Sequence, residues 1–198
     1  YRDTKSEKRI VKAKTDWGKK RLQILDSMQA AMGALPNRKN LPAFDTWWKD
    51  SLLTSSYRRY TISFLVANDE RLSAYLYMPV RKNKAGKFPV MIALHETDSI
   101  GKKSVDGEGH NINLGYAKEL AEKGFVVMAP DYPSFGDLYN YDFNSDRYQS
   151  GTMKSIFDNM RCIDWLLQRD DVDKNRIGII GHSLGGHTAL FTAAFDER

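Results

Sequence analysis

Three short apolar runs, each followed by a stretch of helical spacing, constrain this chain more than any other feature. Residues 89–94 read Pro-Val-Met-Ile-Ala-Leu, residues 125–129 read Phe-Val-Val-Met-Ala, and residues 176–180 read Arg-Ile-Gly-Ile-Ile. A strand with water on one face alternates apolar and polar residues. An unbroken run instead predicts a strand buried on both faces, as in a parallel sheet covered by helices. After these runs, apolar residues recur at three-to-four spacing. The first set is Leu114, Ala117, Leu120 and Ala121, stopped by Gly124. The second is Met153, Ile156, Phe157, Met160, Ile163 and Leu167, and the third is Ala189, Leu190 and Ala193. Strand and helix alternating three times predicts the α/β class, with right-handed crossovers between parallel strands.

The chain before residue 88 follows other periods. Tyr60, Ile62, Phe64 and Val66 alternate with Arg59, Thr61 and Ser63; Asn68-Asp69-Glu70 then leads to a second run, Leu72 to Met78. That pattern predicts an antiparallel hairpin. Earlier still, Trp17, Ile24, Leu25, Met28, Ala31, Met32 and Leu35 keep helical spacing until Gly33 and Pro36 end it. The expected division is a helical extension over residues 1–56 and an α/β domain over 57–198. A length of 198 residues suits one such domain with an appendage.

Composition excludes several classes. With 41% hydrophobic and 12% aromatic residues the chain has material for a core, so wholesale disorder is excluded. No apolar run approaches the length of a bilayer span, and no membrane partner is expected. The single cysteine, Cys162, excludes an internal disulfide framework and a cysteine-rich metal module. The formal charge of +5 is concentrated early, in Lys5, Lys8, Arg9, Lys12, Lys14, Lys19, Lys20 and Arg21. A solvated helix face fits these charges better than a nucleic-acid arm, so no nucleic-acid partner is expected. The start at Tyr1 fits either a processed leader or a chosen boundary, and both readings stay open.

The chemistry lies in Gly181-His182-Ser183-Leu184-Gly185-Gly186, between the last strand and the last helix. G-x-S-x-G lets a chain turn sharply from strand to helix with serine at the apex, because bulkier residues two positions either side would collide. The serine then stands clear of the sheet, and the helix N-terminus directs free N–H groups at any developing oxyanion. Ser183 is therefore the candidate nucleophile, against the plainer reading of a structural turn. The backbone N–H of Leu184 and that of Thr97, in the loop after the first parallel strand, form the candidate oxyanion hole. The plainer reading of His95-Glu96-Thr97-Asp98 is an ordinary polar loop.

These residues carry a resemblance. The chain is similar to the α/β-hydrolase superfamily, in its dienelactone hydrolase-like and acetyl xylan esterase-like branch. Four stretches match in order: Ala93-Leu94-His95-Glu96-Thr97 with Ile100-Gly101-Lys102; Ala129-Pro130-Asp131-Tyr132-Pro133-Ser134-Phe135-Gly136-Asp137; Ser150-Gly151-Thr152-Met153-Lys154; and the elbow with His187. The resemblance implies the α/β-hydrolase fold, a mostly parallel sheet preceded by the antiparallel hairpin. It also implies hydrolysis of a carboxylic ester, with acetylated carbohydrate as substrate, by a secreted or periplasmic protein. Dienelactone hydrolases carry cysteine at the elbow; serine here favours esterase chemistry. No cofactor is expected.

The superfamily orders its triad nucleophile, acid, histidine. After Ser183 this chain offers His187, Asp196 and Glu197 before Arg198. The expectation is an N-terminal part of a longer hydrolase, with acid and histidine beyond Arg198 and the 177–180 strand left as an apolar edge. His187, one turn after Ser183, is expected to pack against the sheet rather than act as base. His182 is expected to point away from the apex, as a core or hydrogen-bonded support, and His95 to orient the oxyanion loop. Glu96 is either a loop carboxylate or a group approaching the nucleophile. Tyr132 and Phe135 are expected to rim the pocket or to pack as surface aromatics. Asp106, Glu108 and His110 lack a metal-ligand spacing, so no metal site is assigned. Two rivals stand beside the esterase. One is a peptidase of the prolyl oligopeptidase type, whose elbow usually has an aromatic where this chain has Leu184. The other is a non-catalytic hydrolase-like binding module.

Overall fold

The computed structural model describes residues 1–3, 6–80, 86–144 and 147–198; Lys5 of the basic N-terminal group lies outside them. Helix α1 spans Lys14–Met32, followed by strands β1 (Trp47–Leu53), β2 (Tyr57–Ala67), β3 (Glu70–Pro79) and β4 (Phe88–Leu94). Then come α2 (Tyr116–Glu122), β5 (Val126–Pro130), α3 (Gly151–Leu166), β6 (Val172–Gly181) and α4 (Leu184–Phe195). The six strands form one sheet in the order β1-β2-β3-β5-β4-β6. β1, β2 and β3 run antiparallel to their neighbours, whereas β4 is parallel to both β5 and β6.

Side-chain alternation divides the sheet into two packed faces. Ile62, Phe64, Leu72, Leu76, Ile92 and Met128 turn toward α3, meeting Met153, Ile156, Phe157 and Met160. Tyr75, Tyr77, Ala93, Val127 and Ala129 turn the other way, against Ala117 and Ala121 of α2. The unbroken apolar runs of β4 and β5 are thus covered on both sides, as their composition predicts. α3 is buried along nearly its whole length, and its charged side chains are paired. Lys154 pairs with Asp158 at 2.6 Å and Glu70 at 3.2 Å, and Arg161 donates to the carbonyl oxygens of Val66 and Pro42. Ser150 caps the helix by accepting from the Met153 N–H and donates to the Met32 carbonyl, which ties the end of α1 to it.

The sheet begins earlier than expected. The boundary at 56 and 57 falls between β1 and β2, which pair from Trp47 with Ser63 to Leu53 with Arg58. β1 escapes a pattern-based reading because all seven of its residues are exposed, leaving no alternation to detect. At the opposite edge, β6 pairs only with β4 among the described residues. No helix among these residues is long and apolar enough to cross a membrane.

Candidate active site at the strand-end elbow

The carboxyl ends of β4, β5 and β6 converge, and each chain continues into a loop held by a different device. β6 ends at Gly181, paired with Leu94, and α4 starts three residues later. Between them Ser183 adopts φ 51° and ψ −116°. A side chain at positive φ costs energy, about 1–3 kcal/mol in sparsely populated regions, and persists only where surrounding contacts enforce it. The glycines supply that enforcement. A Cβ on Gly181 would strike the Gly185 backbone, and one on Gly185 would run into the Leu94 carbonyl oxygen and stand 2.7 Å from that of His95. The elbow is therefore pressed against the end of β4 at a separation only glycine permits. Its turn is closed by Gly185 N–H to the His182 carbonyl and His187 N–H to the Ser183 carbonyl, both 2.9 Å.

Ser183 is exposed at the apex. The N–H groups of Leu184 and Thr97 donate to no acceptor among the described residues. Each lies in a loop or helix start at the same sheet edge, where free donors are available to an anion. Behind the elbow lies a cavity of only about 10 Å³ against Leu94, His95, Ser155, Asn159 and Thr188. It is near the minimum for one water and too small for substrate. A wider cleft, about 870 Å³, lies between the N-terminal residues and α1 and includes no elbow residue.

His95 is buried, and its two ring nitrogens are committed. Nε2 accepts the Tyr132 N–H at 2.9 Å, which requires the proton on Nδ1, and Nδ1 lies 2.6 Å from the Glu96 carbonyl. Burial holds its pKa below the ordinary histidine range, with the Glu96 carbonyl and nearby carboxylates opposing. A neutral imidazole thus links the β4 and β5 loops. Phe135 packs edge-on against this ring at 5.7 Å and meets Tyr132 at 6.1 Å. The Tyr132 hydroxyl lies against the start of α3, where a Cβ on Gly151 would stand 3.1 Å from it. Both aromatics are half-buried beside the elbow. Glu96 accepts from the Ser104 hydroxyl at 3.2 Å.

Two histidines differ from expectation. His182 is exposed rather than packed in the core, because it lies past the last ladder pair, Leu94 with Gly181. His187 does not pack on the sheet: α4 buries Gly185, Thr188, Ala189 and Thr192, a stripe that passes beside it. His187 is exposed, with its ring 4.3 Å from that of Phe191.

Sequence reasoning missed a buried ionic group under the β5 loop. Lys102 Nζ meets Asp131 Oδ2 at 2.5 Å and Asp137 Oδ2 at 3.0 Å, and Ser73 donates to Asp137 at 2.6 Å. Asp131 also accepts from the Lys102 and Asp137 N–H groups. The positive φ of Gly101 and Gly136 marks the site, since a Cβ on either would enter the Asp131 carboxylate. Asp106 is likewise occupied, by Arg59 and by the Tyr77 hydroxyl.

Comparison with known proteins agrees with this architecture. The model of the prolyl oligopeptidase family matches residues 114–198. The chain is 29% identical over 141 residues to YtaP of Bacillus subtilis, covering 65% of this chain and 46% of that protein. It is 26% identical over 201 residues to the acetyl esterase Axe7A of Xylanibacter ruminicola, covering 82% and 43%. A glucuronoyl esterase from Solibacter usitatus superposes with a TM-score of 0.71 at 19% identity, over 99% of this chain and 59% of that one. The chain thus spans about half the length of these relatives. The mixed six-stranded sheet with its flanking helices agrees with these likenesses, and the chain has the α/β-hydrolase fold.

Proposed function

We propose that the protein hydrolyses carboxylic esters of carbohydrates through an acyl-enzyme on Ser183. One observation carries the reading: Ser183 holds positive φ at an exposed apex, next to the Leu184 N–H and at the sheet edge where the Thr97 N–H lies, and neither N–H has an acceptor among the described residues. Strain of this kind clusters where a fold must present a side chain in one pose. Ser183 Oγ attacks the acyl carbon as a histidine takes its proton. The Leu184 and Thr97 N–H groups bind the tetrahedral oxyanion, and the imidazolium returns the proton to the departing alkoxide oxygen, which leaves as the alcohol. Water, activated by the same histidine, then releases the carboxylic acid and restores the serine. His95 does not serve as that base, because both its nitrogens are engaged. In the superfamily order of nucleophile, acid and histidine, the base is a histidine that follows the nucleophile. Tyr132 and Phe135 form the wall facing the acyl group.

The likeness to Axe7A and to the glucuronoyl esterase supports a carbohydrate ester as substrate, and with it a secreted or periplasmic protein. The natural gene product is expected to release acetate from acetylated xylo-oligosaccharides or methanol from methyl glucuronate, and the Ser183→Ala variant to release neither. Release undiminished in that variant would overturn the reading. A second reading, a peptidase, has the family match over residues 114–198 in its favour. Cleavage of prolyl or alanyl peptide anilides, without ester turnover above the uncatalysed rate, would select it.

A further inference from the structure

We propose that Tyr116 is a positioning residue for the oxyanion site: its hydroxyl ties the end of β4 to the start of the elbow and fixes the spacing of the two strands' outgoing chains. The inference rests on the ester-hydrolase reading. Tyr116 opens α2, and its Oη donates to the carbonyl of Leu94, the last residue of β4. The backbone N–H of His182, the first residue past β6, faces the same oxygen. Leu94 and Gly181 form the final ladder pair, so the phenol closes the ladder at the rung where the two strands part. Thr97 follows Leu94 by three residues and Leu184 follows His182 by two. The two free N–H groups thus hang from backbone positions on either side of this hydroxyl, which holds the β4 side through the Leu94 carbonyl.

The Leu94 carbonyl has a second contact that makes its position consequential. It is the oxygen against which Gly185 is pressed so closely that no Cβ fits. Holding that oxygen therefore holds the inner turn of the elbow. A hydroxyl suits the place because it donates and accepts at once. Burial, and then the nearby Glu96 carboxylate, push the phenol's pKa well up, so it keeps its proton throughout the range in which esters are assayed. Phenylalanine would preserve the ring's packing against the α2 side of the sheet and remove only the bridge.

The test is Tyr116→Phe in the natural gene product, with two readouts. Hydrogen exchange reports the bridge itself: amides in residues 181–186 are expected to exchange faster in the variant, with β2 and β3 unchanged. Steady-state kinetics on p-nitrophenyl acetate report its consequence. Loss of a whole oxyanion donor costs about 10²–10³ in kcat, and a displaced one is expected to cost roughly tenfold, with KM within about twofold. Affinity for a phenylboronic acid, which needs the same oxyanion site, should fall by the same factor as kcat/KM. Unchanged exchange at 181–186 would overturn the proposal, as would a kcat within about twofold of the parent. Kinetic loss accompanied by faster exchange across the whole sheet would also overturn it, because that describes a general folding defect. A parent protein with no ester turnover would instead sink the hydrolase reading, while the exchange experiment still decides the bridge.

Discussion

The loop after β5 and the elbow after β6 lie on the same sheet edge, yet they are held in opposite ways. The β5 loop is fixed by side chains: Lys102 and Asp131, both buried, form a charge-assisted group with Ser73 and the more exposed Asp137, and two glycines make room for it. The elbow is fixed chiefly by backbone, through Gly181, Gly185 and the positive φ of Ser183, with the Tyr116 hydroxyl bracing the Leu94 carbonyl behind it. A loop that lines a pocket can keep its shape through its own charges. A nucleophile whose oxygen must remain free for substrate cannot, so its pose is set by what its neighbours lack.

Breaking the backbone device should have the largest effect. Gly185→Ala must displace either α4 or the Leu94 carbonyl, and a loss of about 4 kcal/mol or more is expected in urea unfolding, the range of severe core clashes. Breaking the side-chain device comes next. Lys102→Met leaves Asp131, whose side chain is fully buried, without its cation, and a loss of about 3–5 kcal/mol is expected. If Lys102→Met proved neutral while Gly185→Ala unfolded the protein, the β5 loop would also be backbone-determined and the contrast would fail. Ser183→Gly sharpens the comparison from the other side. It should end activity yet raise stability by about 1 kcal/mol, since glycine adopts positive φ without strain.

Smaller effects follow from protonation. The pKa of His95 is depressed in the folded protein, chiefly by burial, so the unfolded chain binds more protons just below the ordinary histidine value. Its contribution is complete above about pH 6.5 and is lost as pH falls through the folded value. Thermal unfolding across this window is expected to show that loss, and His95→Gln to flatten it. For Asp137, burial raises the carboxyl pKa, but the Ser73 hydroxyl and Lys102 ammonium outweigh it, and the net direction is down. Its stabilisation is present above the ordinary aspartate range and lost as pH falls through the folded value. Its side chain is 47% exposed, so solvent screens the gain, and Asp137→Asn is expected to cost at most ~1 kcal/mol near neutral pH.

The legible parts of this molecule are those where a local pattern and the tertiary environment agree. Residues 89–94 and 125–129 are apolar throughout because both faces are covered, and G-x-S-x-G announces a collision that only the folded chain makes real. β1 was illegible for the converse reason, since an edge strand with every side chain in solvent has no pattern to read. The Lys102–Asp131 pair joins residues 29 apart, and nothing in either segment declares the partner. Asp131 could be singled out only through the stretch shared with the superfamily. Tyr116 was hidden more completely: at the head of a helix it reads as one more apolar residue, and its hydroxyl gains meaning only where β4 and β6 end side by side.

The most direct test of the account is covalent labelling of the natural gene product with a fluorophosphonate, read by peptide mass mapping. A single adduct on Ser183, absent from Ser183→Ala and slowed in Tyr116→Phe, is the result the account requires. An unlabelled Ser183 in a folded protein, or an adduct on another serine, would contradict it and leave the elbow as a structural turn.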